Sequence, residues 1–158
     1  MLDELEYFGA VLSEVLRLYP PAGMITRINR KTETFCGYEV PPNTRMVVSP
    51  HMVHRHPKYW DEPETFRPER WIHKTEAERQ AFQERTRYAY IPFSAGGRNC
   101  IGQKFAQMEA KLILAPLIRE FEFFIAPSQR ATKHTFTSFV TTKLKPELKI
   151  SLKMRDIN

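Results

Sequence analysis

The chain has 158 residues, 42% of them hydrophobic and 27% charged; this is the size of one globular domain with enough apolar material for a core, which excludes a disordered tail. Lys and Arg number 24 against 18 Asp and Glu, a formal charge of +6, which favours acidic partners, anionic cofactors or phosphate surfaces. The basic residues are scattered, however, with no zinc-finger spacing, RNA-recognition signature or basic helix bearing aromatic platforms, so no nucleic-acid partner is expected.

Two cysteines, Cys36 and Cys100, make no disulfide framework, and no charged-then-apolar signal segment opens the chain. A reducing compartment follows. No run approaches the roughly 20 apolar residues that span a bilayer, so membrane association is expected only through sequence missing from these residues.

From Leu2 to Tyr19 apolar residues recur at Leu5, Phe8, Leu12, Val15 and Leu16, a helical spacing that Pro20 and Pro21 stop. This helix begins almost at Met1 with little room for a cap, as if the chain started inside a larger fold. Between Thr26 and Ser49 short β-prone runs alternate with turns at Cys36-Gly37 and Pro41-Pro42-Asn43, predicting a small antiparallel sheet. His51 to Trp71 holds three prolines among aromatics and charges and reads as a short helix followed by an ordered meander. Thr75 to Arg87 is charged, an exposed insertion or a short helix.

The segment Ile91 to Cys100 leads into a second helix, from about Ile101 to Phe121, with Phe105, Met108, Leu112 and Ala115 on one face. Pro116 lies within it and removes one backbone bond, at a cost of about 3 kcal/mol, so a kink or break is expected there. Phe136 to Leu144 and Leu148 to Met154, on either side of Lys145-Pro146-Glu147, suggest a terminal hairpin. No internal repeat is present.

The run Phe93-Ser94-Ala95-Gly96-Gly97-Arg98-Asn99-Cys100-Ile101-Gly102 carries the chemistry. Gly96 and Gly97 permit backbone conformations closed to other residues and close approach to a flat ligand. Cys100 stands at a helix entrance, where free N–H groups and the helix dipole favour a thiolate over a thiol. Gly102 leaves space beside the sulfur. Arg98, with its rigid fork, is suited to a carboxylate.

All five specified residues of Phe-x-x-Gly-x-Arg-x-Cys-x-Gly are present, and the run resembles the haem-binding loop of the cytochrome P-450 superfamily. Glu14-Val15-Leu16-Arg17 followed by Leu18-Tyr19-Pro20-Pro21, and later Phe66-Arg67-Pro68-Glu69-Arg70-Trp71, stand in the order of that family's Glu-x-x-Arg helix and its meander. Alone, a Glu-x-x-Arg pair is most often a solvated surface contact.

The resemblance implies a mainly α fold with a small antiparallel β subdomain. It covers nearly the whole chain, 1–158, but only as the C-terminal haem-binding part of an incomplete P-450 fold, without the N-terminal half or the oxygen-activating helix. It implies haem b (iron protoporphyrin IX) with Cys100 as the axial thiolate of the iron, and Phe93, Gly96, Arg98 and Gly102 as its cradle. Arg27 would reach a second propionate. Glu14, Arg17 and Arg70 would form a buried charge network of structural purpose, and no catalytic residue is resolved beyond the iron ligand. Met24, Ile25, Thr142, Lys143 and Leu144 would line a substrate pocket, apolar at Met24 and Ile25.

The activity implied is that of a monooxygenase hydroxylating a lipophilic substrate such as a fatty acid or sterol, with O₂ and electrons from an NADPH-dependent reductase. NADPH and flavin enter only through that partner. Ile91-Pro92-Phe93-Ser94 and Gly102-Gln103-Lys104-Phe105-Ala106-Gln107-Met108-Glu109 look most like eukaryotic microsomal members, which places the full-length parent on the cytosolic face of the endoplasmic reticulum membrane. Arg98, Lys104 and Lys111 are either a docking face for an acidic flavin domain or a solvated helix face. The alternative function is a haem-binding remnant or module without turnover. An electron-transfer protein is a further reading, with His51, His54 or His56 as second axial ligand. His51, His54 and His56 with Cys36 fit no zinc-ligand spacing. His54-Arg55-His56-Pro57 with Trp60 resembles the family's run before the meander, with Arg55 and Trp60 structural.

Overall fold

The computed structural model describes residues 5–138 and 141–156. Helix α1, Glu6–Leu18, buries Ala10, Glu14, Arg17 and Leu18. Those positions are spaced as one helical face, but it is not the face the apolar periodicity selects. Leu5 and Val15 are exposed, and Phe8, Leu12 and Leu16 are only half-buried. The reason is the packing partner: α1 lies against a 3-10 turn at Pro68–Trp71, which presents hydrogen-bonding groups to the charged stripe. Residues Leu2 to Glu4 of the expected helix lie outside the described residues.

The β-prone stretch forms two separate antiparallel ladders instead of one sheet. Strand β1, Ile25–Ile28, pairs with β4, Arg45–Val48, in the register Arg27 to Met46. Strands β2, Glu33–Phe35, and β3, Tyr38–Val40, pair as a hairpin. Its two turn residues, Cys36 and Gly37, both have positive φ (50° and 85°), the two-residue geometry that matches strand twist. Buried Asn29 joins the ladders: its side-chain amide donates to the carbonyls of Lys31, Val40 and Pro41, and its side-chain oxygen accepts from the Thr44 N–H at 2.8 Å. One amide thus serves four backbone groups that the two turns leave without ladder partners.

Helix α2, Pro50–Val53, starts at a Ser49 cap and leads into the meander. The buried centre is aromatic. Trp60 is 1% exposed, its Nε1 donates to the Ala89 carbonyl, and Trp71 meets Tyr90, Phe82 and Trp60 at ring-centroid distances of 4.5, 5.3 and 5.6 Å. Offset aromatic pairs of this kind contribute about 0.5–1.5 kcal/mol each beyond area burial. Phe82 comes from helix α3, Glu76–Thr86, which opens on a reciprocal Thr75/Glu78 capping box; the charged stretch is therefore a helix.

Helix α4, Gln103–Glu120, runs through Pro116 without a break. No residue of α4 is buried, and Phe105, Met108 and Leu112 are 70%, 56% and 53% exposed. The tail differs from a single terminal hairpin. Strand β6, Thr135–Ser138, pairs with β7, Thr142–Lys145, and the expected hairpin includes residues 139 and 140, which lie outside the described residues. Strand β8, Ile150–Met154, returns to β5, Phe121–Ile125, which leaves α4 directly. The pairing is apolar at Phe123 opposite Leu152 and Ile125 opposite Ile150, a partner set that near-neighbour pattern reading does not reach.

The fold is thus helices with small antiparallel ladders, as expected in both components. The chain exposes 12278 Å² at a mass of 18.6 kDa, whereas a compact monomer of that mass exposes about 8,200 Å². Most of α4 and the outer faces of the ladders account for the excess apolar surface. Among the described residues no helix is long and apolar enough to cross a membrane.

Candidate functional site

The site is built outward from the α1 charge network. Glu14 and Arg17 are both 0% exposed and pair through two bonds, Nε to Oε2 at 2.9 Å and Nη2 to Oε1 at 2.8 Å. Arg17 spends its remaining donors on the carbonyls of His54, Pro63 and Thr65. Glu14 also accepts from Arg70 Nε at 3.1 Å, the Arg67 N–H at 2.9 Å and Trp71 Nε1 at 2.9 Å. Arg70 in turn donates to the carbonyls of Asp61, Glu62 and Thr65. Burial alone would raise the Glu14 pKa; the bonds from Arg17, the Arg67 amide and Trp71 outweigh it and hold the carboxyl below its ordinary value. Glu14, Arg17 and Arg70 therefore lie together, as the sequence order suggests. Arg67 and Trp71, which were not singled out, complete the carboxylate's partners.

A second group of bonds ties α1 to the cysteine loop. Arg55 Nη2 donates to the Leu18 carbonyl at 2.6 Å, and His54 lies between the Arg17 carbonyl (Nδ1, 3.0 Å) and the Ile91 N–H (Nε2, 2.8 Å). Ala89, Ile91 and Pro92 are buried, and from Ala95 to Ile101 every residue is exposed. The loop thus emerges from a fixed root. It closes on itself through Ser94 N–H to Ile91 O at 3.0 Å, Asn99 N–H to Gly96 O at 3.1 Å and Cys100 N–H to Phe93 O at 2.9 Å.

Gly96 has φ +76°, the left-handed region that favours glycine, and Ser94 has φ 66°. Cys100 is exposed and precedes α4 by three positions, so it does not open the helix; its carbonyl accepts from the Gln103 N–H at 3.3 Å. A Cβ added at Gly102 would meet Cys100 Sγ at 3.8 Å, an ordinary contact, so the space beside the sulfur does not by itself demand glycine.

Arg27 reaches the loop from β1, with Nη2 donating to Ser94 Oγ at 3.1 Å. Arg98 lies on the loop itself and is exposed, while Phe93 is half-buried. No atom lies within 4 Å of where a Cβ would project from Gly96 or Gly97. A presented thiol, two guanidinium groups tied to one loop and an open approach at its glycines form a donor set that fits haem: a soft ligand for iron and two forks for carboxylates.

The β6–β7 hairpin docks beside the end of α1. Thr142 donates to two carbonyls there, N–H to Pro21 O at 2.7 Å and Oγ1 to Pro20 O at 2.9 Å, and Tyr19 stacks on Phe136 at 4.5 Å. This brings Thr142, Lys143 and Leu144 to the segment that continues into Met24 and Ile25. Met24 is 58% exposed and Ile25 and Leu144 are half-buried.

Among the described residues no group of three or more His, Cys, Asp or Glu could hold a metal ion. His54 has both ring nitrogens engaged, His51 Nδ1 faces Arg55 Nη1 at 3.0 Å and His56 Nδ1 accepts from the Lys58 N–H.

The cytochrome P450 family model matches residues 1–150. Cytochrome P450 4V2 of Rattus norvegicus is 43% identical over 120 residues, 76% of this chain and 22% of that protein. Probable cytochrome P450 4p3 of Drosophila melanogaster is 39% identical over 155 residues, 98% of this chain and 28% of that protein. The solved structure of retinoic acid bound cyanobacterial CYP120A1 superposes with a TM-score of 0.84 at 28% identity, covering 98% of this chain and 34% of that one. The chain thus spans 22% to 28% of the length of these two curated relatives. With the family model matched over nearly its whole length, and the Cys100 loop and Glu14 network folded as described, the chain belongs to the cytochrome P450 family.

Proposed function

We propose that this chain is the C-terminal haem-binding part of a haem-thiolate monooxygenase. The observation that carries the reading is the exposed Cys100 thiol on a loop whose root is clamped into the buried core and whose edge is met by Arg27. Cys100 would hold the iron as its thiolate, with Arg27 and Arg98 on the two propionates. Phe93, Gly96 and Gly102 would shape the seat. Bound there, haem would activate O₂ for insertion of one oxygen atom into a C–H bond.

Met24, Ile25, Thr142, Lys143 and Leu144 would line the substrate side, where exposed Met24 favours a lipophilic ligand such as a fatty acid or sterol. Electrons would come from an NADPH-dependent reductase carrying flavin, docking near Arg98, Lys104 and Lys111. Similarity to the 4V2 and 4p proteins supports the microsomal assignment, with the full-length parent at the endoplasmic reticulum membrane.

One observation favours a second reading for the 158 residues alone. The chain exposes 12278 Å², well above the roughly 8,200 Å² of a compact monomer, so a haem seated on the exposed Cys100 would lie open to water, where reactive species escape instead of being guided. The chain by itself would then hold haem and turn over nothing. Titrating the haem-loaded protein with a long-chain fatty acid, then supplying reductase and NADPH, tests both readings. A substrate-induced Soret shift with hydroxylated product supports the monooxygenase; a Soret shift without product supports the remnant; neither response refutes the lipophilic pocket.

A further inference from the structure

We infer that His54 is a positioning residue for the Cys100 loop, fixing the thiolate by joining the loop's root to the end of α1. The inference rests on the haem-thiolate reading above and adds to it a residue outside the motif, 46 positions before the cysteine.

Both partners of the imidazole are backbone groups of fixed polarity. Ile91 offers an N–H, so Nε2 must accept; the Arg17 carbonyl can only accept, so Nδ1 must carry the proton. The ring is therefore neutral in one tautomer, locked at both ends and 0% exposed. Its surroundings agree: burial, then the positive charges of Arg17 and Arg55, disfavour the imidazolium.

The Arg17 contact is reciprocal. The Arg17 guanidinium donates to the His54 carbonyl at 2.9 Å while the His54 ring donates to the Arg17 carbonyl at 3.0 Å. One residue thus belongs both to the Glu14 network and to the loop.

The far end of the strut is mechanically significant. Ile91 lies in the buried root: its N–H is held by His54 and its carbonyl by the Ser94 N–H. Two residues on, the Phe93 carbonyl takes the Cys100 N–H. Three hydrogen bonds, one to the imidazole and two between backbone groups, therefore link the ring to the cysteine. Without an acceptor, the Ile91 N–H is buried and unpaired, and the root must shift to find one. Groups behind an iron ligand set its orientation in this way without touching the metal.

Two conservative variants separate the ends of the strut. Glutamine places an amide oxygen near the Nε2 position and reaches Ile91. Asparagine places its amide near the Nδ1 position, keeps a donor for the Arg17 carbonyl and falls short of Ile91. The readout is the Soret band of the reduced carbon monoxide adduct, measured per haem bound on the haem-loaded protein, so unfolded molecules do not contribute. Leu18→Ala, which removes a buried apolar side chain from α1, controls for general loosening, and Cys100→Ala controls for thiolate ligation.

The expected result is a red-shifted band in the wild type, absent in Cys100→Ala, kept by His54→Gln and Leu18→Ala, and largely lost per haem in His54→Asn. If His54→Asn keeps the wild-type band, or loses no more of it than Leu18→Ala does, the positioning role is overturned while thiolate ligation stands. If the wild type has no band sensitive to Cys100→Ala, the haem-thiolate reading itself fails.

Discussion

Replacing Arg17 with alanine is the perturbation that the structure renders most costly. The guanidinium makes five hydrogen bonds, two to Glu14 and three to the carbonyls of His54, Pro63 and Thr65, and is 0% exposed. Its loss leaves Glu14 buried with Arg70 as its remaining cationic partner and the His54 and Pro63 carbonyls short of a donor, while Thr65 keeps its bond from Arg70. Breaking a buried ion pair by removing one partner costs about 3–5 kcal/mol, because the remaining charge stays desolvated. Each abandoned carbonyl adds about 1 kcal/mol where water does not enter, although such terms are not additive. Against the roughly 5–15 kcal/mol that holds a domain folded, most of the stability is lost.

Urea unfolding followed by tryptophan fluorescence reads this directly, since Trp60 and Trp71 both lie at the network: the Arg17 guanidinium is 5.1 Å from the Trp60 ring, and Trp71 bonds to Glu14. Arg17→Ala is expected to yield protein that loses haem and solubility together. Arg17→Lys keeps the charge without the fork and should rescue only part of the loss. A soluble Arg17→Ala protein with a full haem complement, destabilised by less than about 1 kcal/mol, the range of a surface pair, would refute the reasoning.

Other outcomes follow from individual groups. His54 has its pKa lowered from 6.5 to about 4, through burial first and then the neighbouring guanidinium groups. The unfolded chain therefore binds the proton more readily, and stability present in full above pH 6.5 declines as pH falls toward 4, by up to about 3 kcal/mol. His54→Gln should flatten urea midpoints across that window, and an unchanged slope would count against a neutral buried imidazole. Gly96→Ala should destabilise the haem-free chain by about 1–2 kcal/mol because φ +76° disfavours a side chain; Gly97→Ala, with open space and no positive φ, should leave it as stable as wild type, as chemical denaturation of both variants would show. If a reductase docks electrostatically, Lys104→Glu should slow reduction more at low salt than at high salt in stopped-flow traces, and equal slowing at both would argue against a charged interface.

The cysteine loop and the Glu14 network were legible because each is written locally. Phe93 to Gly102 is a contiguous run with one positive-φ glycine requirement, and Glu14 and Arg17 are one helical turn apart. Arg27 drew notice by its position, as a partner for a propionate; the structure shows it bonded to Ser94 of the loop. The buried face of α1 was not legible: its periodicity favours Leu5, Phe8 and Val15, while the packing partner is a turn that offers hydrogen-bond donors to Glu14.

Long-range pairings were lost for a similar reason. β8 reads as the second strand of a local hairpin, but its apolar side chains match those of β5, separated from it by 24 residues or more. Asn29 gave no signal, since an asparagine bonding four backbone groups cannot be told from a turn residue until both turns are placed. His54 drew notice as a possible axial ligand and as part of the His54-Arg55-His56-Pro57 run, in which Arg55 and not the histidine was read as structural; the ring's purpose depends on Ile91, 37 residues away.

The most direct test of the central claim is the carbon monoxide difference spectrum of the haem-reconstituted, dithionite-reduced protein, with Cys100→Ala measured beside it. Thiolate ligation by Cys100 requires a strongly red-shifted Soret band in the wild type and its disappearance in the variant. A band at the same position in both proteins would contradict the assignment of Cys100 as the iron's ligand.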